Sequence, residues 1–198
     1  MYIKKIELSV LLALIFTITL SCLDFEFTSN NIRKSVFRLH ILANSDSEYD
    51  QNLKIKVRNR LLKDGFELFE NSENLSQTIL IANNNLKKFE KSAKDELLKN
   101  GCSQNVSAKV EKTDFTVRTY GNTSLPAGQY YALQIKIGKA KGHNWWCVMY
   151  PSLCLPASTQ KIDDVLDKND AEIVKNKDKY IVKFKVCEWF EDIKSLFS

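Results

Sequence analysis

Near Gln104 the apolar residues change their spacing, and that change limits the chain to a mixed fold. Before it they recur every three or four positions, as Leu53, Val57 and Leu61, then Leu86, Phe89, Ala93 and Leu97. After it they alternate with polar partners, as Val106, Ala108 and Val110, then Phe115, Val117 and Thr119, then Tyr131 to Ile137. The first spacing puts side chains on one stripe of a helix, and the second puts them on one face of a strand. Helices followed by hairpin-linked strands predict an α+β fold, an antiparallel sheet with the helices packed mainly on one face.

The limits of the elements follow from their punctuation. A helix is predicted from about Glu48 to Lys63 and ends at Gly65. Ser45 with Glu48 and Ser47 with Asp50 each have a capping-box spacing at its start. A second helical region runs from about Leu75 to Lys99, is broken or kinked at Asn83-Asn84-Asn85, and stops at Asn100-Gly101. Ahead of both, Val36 to Leu42 reads as a strand with Arg38 and His40 on one face, together with Val36 and Leu42. In the alternating part a turn is expected at Thr113-Asp114, a loop from Gly121 to Gly128, a hairpin connection from Gly138 to Asn144, and a strand from Trp145 to Tyr150. Ser158 to Lys168 reads as a short helix, Tyr180 to Val186 as a strand, and Cys187 to Phe197 as an amphipathic helix. The chain divides at these limits into an N-terminal signal segment at 1–21, a core domain at 31–155, and a C-terminal extension at 156–198.

The N-terminus sets the compartment. Lys4 and Lys5 precede an apolar run from Leu8 to Leu20, softened only by Ser9, Thr17 and Thr19. A basic start and an apolar core of about 7–15 residues make a secretory signal, and the run is short of the roughly 20 residues of a membrane span. Thr19 and Ser21 are small enough to precede a cut after Ser21; the alternative is an uncleaved anchor. Lipid modification of Cys22 is disfavoured, because Thr19 stands where lipoprotein signals have an aliphatic residue. The chain is therefore expected to be exported. With 44% hydrophobic and 27% charged residues it can bury a core under a soluble surface. Its net charge of +5 fits loose association with a membrane surface or anionic wall polymers and gives no argument for nucleic acid.

One dense block tests for chemistry. Gly142 to Cys154 holds two of the three Trp and two of the five Cys. A Cys–His nucleophile would need Cys147 beside His143 or His40, with a third group to orient the base; alternation puts Trp145, Cys147 and Met149 on one face, and no orienter is visible. A zinc site needs ligand pairs about two to four residues apart, and Cys147 and Cys154 are wider apart than that. No phosphate-cradling Gly loop and no Gly-x-Ser-x-Gly occurs. These readings leave no expected catalytic residue, metal or cofactor. In an exported chain the remaining cysteines favour disulfides: Cys147 with Cys154 locally, and Cys102 with Cys187 at long range. The alternative is four buried free thiols. Fully extended, the local pair would stand roughly 23–25 Å apart, so the chain must turn between them, and Pro151-Ser152 supplies the turn.

Three stretches resemble one family in order and spacing. Phe37 to Ser47 with Asp50-Gln51 and Leu53 to Arg58 is similar to the opening motif of the stage II sporulation protein R family. Arg118 to Gly121, with Leu125 to Tyr130 and Ala132-Leu133, resembles its second motif. Ile137-Gly138, Gly142, Asn144 to Val148, Pro151 and Leu153-Cys154 resemble its third, although Tyr150 stands where Phe is common and Ser152 where a second Pro is usual. The resemblance implies a non-enzymatic signal of endospore formation, secreted from the forespore into the intermembrane space. There it would activate a membrane-embedded aspartic protease of the mother cell that processes the sigma-E precursor. Candidates for the partner-binding surface are Arg38, His40, Asp46, Arg118, Tyr120, Leu125, Pro126, Trp145 and Trp146. Two other readings compete: an exported cysteine hydrolase using Cys147, and a wall- or lipid-binding module.

Overall fold

The strand order of the main sheet departs from the order of the chain, and this determines which side chains meet. The computed structural model describes residues 2–120, 123–151 and 165–176, without the side chains of 2–4, 15, 18, 19 and 21–24. Helix α1 (Tyr2–Ser35) leads into β1 (Phe37–Leu42), followed by α2 (Glu48–Phe69), α3 (Leu75–Asn84) and α4 (Leu86–Lys99). Strands β2 (Val106–Phe115), β3 (Arg118–Tyr120), β4 (Thr123–Leu125), β5 (Gly128–Ile137) and β6 (Asn144–Tyr150) come next, and then α5 (Lys168–Lys175). Four strands form one sheet in the order β2-β5-β1-β6, and β3 pairs with β4 in a separate ribbon.

The sheet is mixed, which corrects the expectation of an antiparallel one. β1 lies parallel to β5, with Leu39 opposite Leu133, and antiparallel to β6, with Leu39 opposite Cys147. Gly138 to Asn144 is consequently no hairpin connection, since β1 stands between the two strands it joins. The physical reason is in β1 itself. Five of its six residues are buried, because a strand with neighbours on both edges and layers on both faces has little surface left for solvent.

One face of the sheet carries Phe37, Leu39, Ile41, Leu133, Ile135, Ile137, Cys147 and Met149, packed against Leu53, Val57, Leu61, Phe89, Ala93 and Leu97 of α2 and α4. The opposite face is also covered at one end. Ile32 of α1, Leu125 of β4, and Ala171 and Val174 of α5 pack there against Phe115, Tyr130, Ala132 and Val148. The packing on one face therefore holds for α2, α3 and α4, but not for α1 and α5.

Several limits move for identifiable reasons. α2 starts where expected, and Ser47 rather than Ser45 caps it by accepting from the Asp50 N–H. It runs straight through Gly65, which does not end it. A Cβ at Gly65 would stand 2.2 Å from Met149 Cε, so this glycine leaves room for the end of that side chain under α2. The Asn83–Asn85 break separates α3 from α4. Gly101, at φ +73°, reverses the chain after α4, and the Cys102 N–H bonds Leu97 O at 3.0 Å. Thr113-Asp114 is no turn: both residues stay in β2, opposite Tyr130 and Gln129. The apolar residues change parity between Val110 and Phe115 because Phe115 faces the second core cluster. Part of the expected loop is strand β4. The predicted strand at Tyr180–Val186, the helix at Cys187–Phe197 and most of the helix at Ser158–Lys168 lie outside the described residues.

Candidate recognition site

Arg38 is the largest fully buried side chain among the described residues, at 0% exposure. Alternation along β1 turns it away from the α2–α4 face, into a cage of three aromatic rings. Its guanidinium carbon lies 3.9 Å from the centre of Phe115, 4.8 Å from Tyr130 and 5.6 Å from Tyr120. Nη2 donates to the Tyr120 hydroxyl. Nε and Nη1 are buried without a hydrogen-bond partner. The ion pairs among the described residues, Arg33–Glu26, Arg60–Asp64, Lys109–Glu111 and His143–Asp46, leave Arg38 out. A buried donor left unpaired costs about 1–3 kcal/mol, and a cation over a desolvated ring recovers about 2 kcal/mol. Burial pulls the Arg38 pKa down from its ordinary value, opposed by Tyr120 and Tyr130. Burial pushes Tyr120 up, with Arg38 opposing, and pushes Tyr130 far up.

His40, two residues on, shares this face. Its ring stacks on Trp146 at 3.9 Å with 12° between planes, and Trp146 meets Phe115 edge to face at 4.5 Å. Its two ring nitrogens lie 3.1 Å from Asn144 Oδ1 and 3.3 Å from Gln134 Nε2. Burial lowers its pKa, and the Asn144 bond only partly offsets that.

The ribbon β3–β4 lies over the Arg38 end of this face. Arg118 and Thr119 are exposed and Tyr120 is half-buried. Leu125 and Pro126, expected on an open recognition loop, are instead buried. Leu125 joins the second core cluster, and the Pro126 carbonyl accepts from the Tyr130 hydroxyl at 2.7 Å. They hold the ribbon down and are not free to meet a partner. Arg33 of α1 donates to Ala127 O at 2.8 Å, and a Cβ on Gly128, at φ +127°, would sit 2.8 Å from that arginine.

Asp46 is exposed at the other end of β1, in a network that joins two loops. Its Oδ1 accepts from the His143 N–H at 2.5 Å and pairs with the His143 ring. Those contacts, led by the backbone one, lower its pKa. Asp50 accepts from Asn44 at 2.7 Å, Ser45 at 2.5 Å and Gln104 at 3.1 Å. Burial alone would raise the Asp50 carboxyl, and these hydrogen bonds together lower it. The Lys54 ammonium donates to His143 O at 2.8 Å, and Gly142 N–H to Ala43 O at 3.0 Å. This cluster fixes the crossover past β1.

The two Trp point to opposite faces and both are half-buried. Trp146 belongs to the Arg38 face. Trp145 packs toward α2, with Arg58 over its ring at 4.4 Å.

A Cys–His nucleophile is not assembled. Cys147 is 3% exposed in the α2–α4 core, His40 faces the other side of the sheet, and the His143 side chain is 80% exposed and held by Asp46. Cys102 is a buried free thiol, which overturns its expected bridge to Cys187. It packs as a small apolar group at the end of α4. Cys147 is not a free thiol, and Cys154 and Cys187 lie outside the described residues.

Residues from all three sequence motifs thus meet on one face: Arg38 and His40 from the first, Tyr120 and Tyr130 from the second, Asn144 and Trp146 from the third. Reading the sequence for motifs missed Phe115 and Gln134. Their register opposite Gly128 on β5 and His40 on β1 is the signal that places them. The family model described as stage II sporulation protein R matches residues 33–160. The chain is also 32% identical over 185 residues to the stage II sporulation protein R of Bacillus subtilis (strain 168), covering 82% of this chain and 83% of that protein. No solved structure matches.

Proposed function

The chain belongs to the stage II sporulation protein R family and has a role in sporulation, and we propose that it is the exported signal that activates a membrane-embedded aspartic protease processing the sigma-E precursor. It acts by binding and not by catalysis. The observation that carries this reading is the convergence of the three motifs on a caged arginine and a stacked histidine, on the face of the sheet opposite Cys147. A partner that prefers one of two protease arrangements shifts the balance by its differential affinity. The recognition surface is the outer part of this face, with Arg118, Tyr120 and Trp146, the last backed by the buried His40, and Asp46 at its far end.

Export from the forespore into the intermembrane space fits the two halves of α1. Ile6, Leu8, Val10, Leu11, Leu12, Leu14, Phe16 and Leu20 are each at least half exposed, whereas Phe25, Ser29 and Ile32 are buried. No described core side chain lies before Phe25, so cutting after Ser21 would leave the core intact. Among the described residues no helix is long and apolar enough to cross a membrane. If the segment is retained, its exposed apolar side chains fit association with a membrane surface. In the same oxidising space Cys147 is assigned to a bridge with Cys154, which supports the strand end behind Trp146.

The test is a reconstitution. Folded protein lacking residues 1–21, added to the outer side of vesicles carrying the protease and the precursor, triggers cleavage. Folded protein that leaves the precursor intact would overturn this reading.

A further inference from the structure

The arginine cage has a property that packing alone does not account for. Arg38 has 0% exposure, two nitrogens without an acceptor, and no carboxylate partner among the described residues. Methionine would fill the space between three aromatic rings without burying a charge, and apolar replacements of buried ionic groups are often neutral or stabilising. The covering element is light. Tyr120 belongs to a three-residue strand paired with β4, outside the main sheet. Leu125 anchors the ribbon through β4. On β3, by contrast, Arg118 and Thr119 are exposed and Tyr120 is half-buried, so the Tyr120 side chain can turn outward while β4 stays in place. Arg118, exposed on the same strand, adds a second positive charge beside Arg38 and Tyr120.

We propose that Arg38 is a receptor for a carboxylate presented by a protein partner, reached when Tyr120 moves off the guanidinium. The guanidinium offers Nε and Nη1 without acceptors and Nη2 held only by Tyr120, a planar donor set that suits the two oxygens of a carboxylate. Arginine holds carboxylates by charge-assisted hydrogen bonds, about twice as strong as neutral ones. The incoming oxygens replace the Tyr120 hydroxyl on Nη2 and use the nitrogens that now lack acceptors. The site rests on the signalling reading only for the identity of the partner.

Acetate is the probe, followed by the Arg38 Nε–H resonance in nitrogen-labelled protein. The resonance shifts to saturation with acetate and does not do so with equal chloride. Tyr120→Phe removes the hydroxyl that competes for Nη2 and tightens acetate binding about two- to tenfold, the range one ordinary hydrogen bond sets. Arg38→Met folds, melts no lower than the parent, and loses the stabilisation by acetate that the parent shows. Absence of a saturable shift, or an equal shift in chloride, overturns the proposal. So does an Arg38→Met protein that melts well below the parent, because the guanidinium would then serve the fold. Acetate binding is read without the protease, so its failure leaves the signalling reading standing, and a failed reconstitution leaves this site standing.

Discussion

Trp146 lies flat on His40, 3.9 Å between ring centres, on the face of the sheet opposite Cys147. The stack keeps the imidazole dry, and burial lowers its pKa below the ordinary 6.5. In the folded state the neutral ring is favoured, so at mildly acid pH the unfolded chain binds more protons. Stability is then complete above about pH 6.5 and is lost as pH falls through that value toward the lower folded pKa. Thermal melts between pH 5 and 8 should show this loss. His40→Gln should flatten the dependence, and an unchanged slope in that variant would assign it to another group.

The glycines make a paired prediction. A Cβ at Gly142 would stand 2.2 Å from the backbone oxygen of Ser45, whereas one at Gly65 meets the flexible end of Met149. Gly142→Ala should destabilise by about 1–3 kcal/mol, the cost of overpacking against atoms that cannot retreat. Gly65→Ala should be near neutral, since alanine gains about 1 kcal/mol of helix propensity while Met149 shifts. Denaturant melts of the two variants should separate them.

If Cys147 and Cys154 are bridged, Cys147→Ser and Cys154→Ser should behave alike. Closing the eight-residue loop contributes about 2.5 kcal/mol on the loop-entropy model, and each variant should lose about that much. Cys102→Ser should leave the mass shift on reduction and alkylation unchanged. Different connectivity would appear as a shift that survives Cys154→Ser.

Arg118→Glu should reduce precursor cleavage at least tenfold with the melting temperature unchanged, because the side chain is exposed and lies beside the Arg38 cage. Surface changes away from caps and pairs cost within about 0.5 kcal/mol. Full cleavage with the charge reversed would remove the ribbon from the recognition surface.

Much of the local structure was legible in the sequence, because period and punctuation are local signals. A cap at Ser45 or Ser47, a break within Asn83–Asn85, the stop at Asn100-Gly101 and the placing of Arg38 and His40 on one face all follow from residues a few positions apart. What escaped was set by partners far along the chain. Nothing near Phe37–Leu42 says that it will lie between β5 and β6, and nothing near Gly65 announces Met149. Phe115 looked like the start of a new strand because its burial comes from the second face. Leu125 and Pro126 looked like an open loop because the cluster that buries them draws on α1 and α5. Arg38 and Tyr120, which bond across the core, are 82 positions apart, and no local spacing joins them.

The insertion of β1 between β5 and β6 also governs the order in which the chain can assemble. Arg38 must wait for Ala132 on one side and Val148 on the other, so the central strand has no neighbour until nearly the whole domain has been delivered. Pairings this distant gain nothing until a long loop has been closed, which makes such sheets slow to form. A chain threaded N-terminus first through a membrane would therefore leave β1 unpaired until β5 had crossed and the sheet incomplete until β6 had followed, and the Arg38 face would be completed only on the far side.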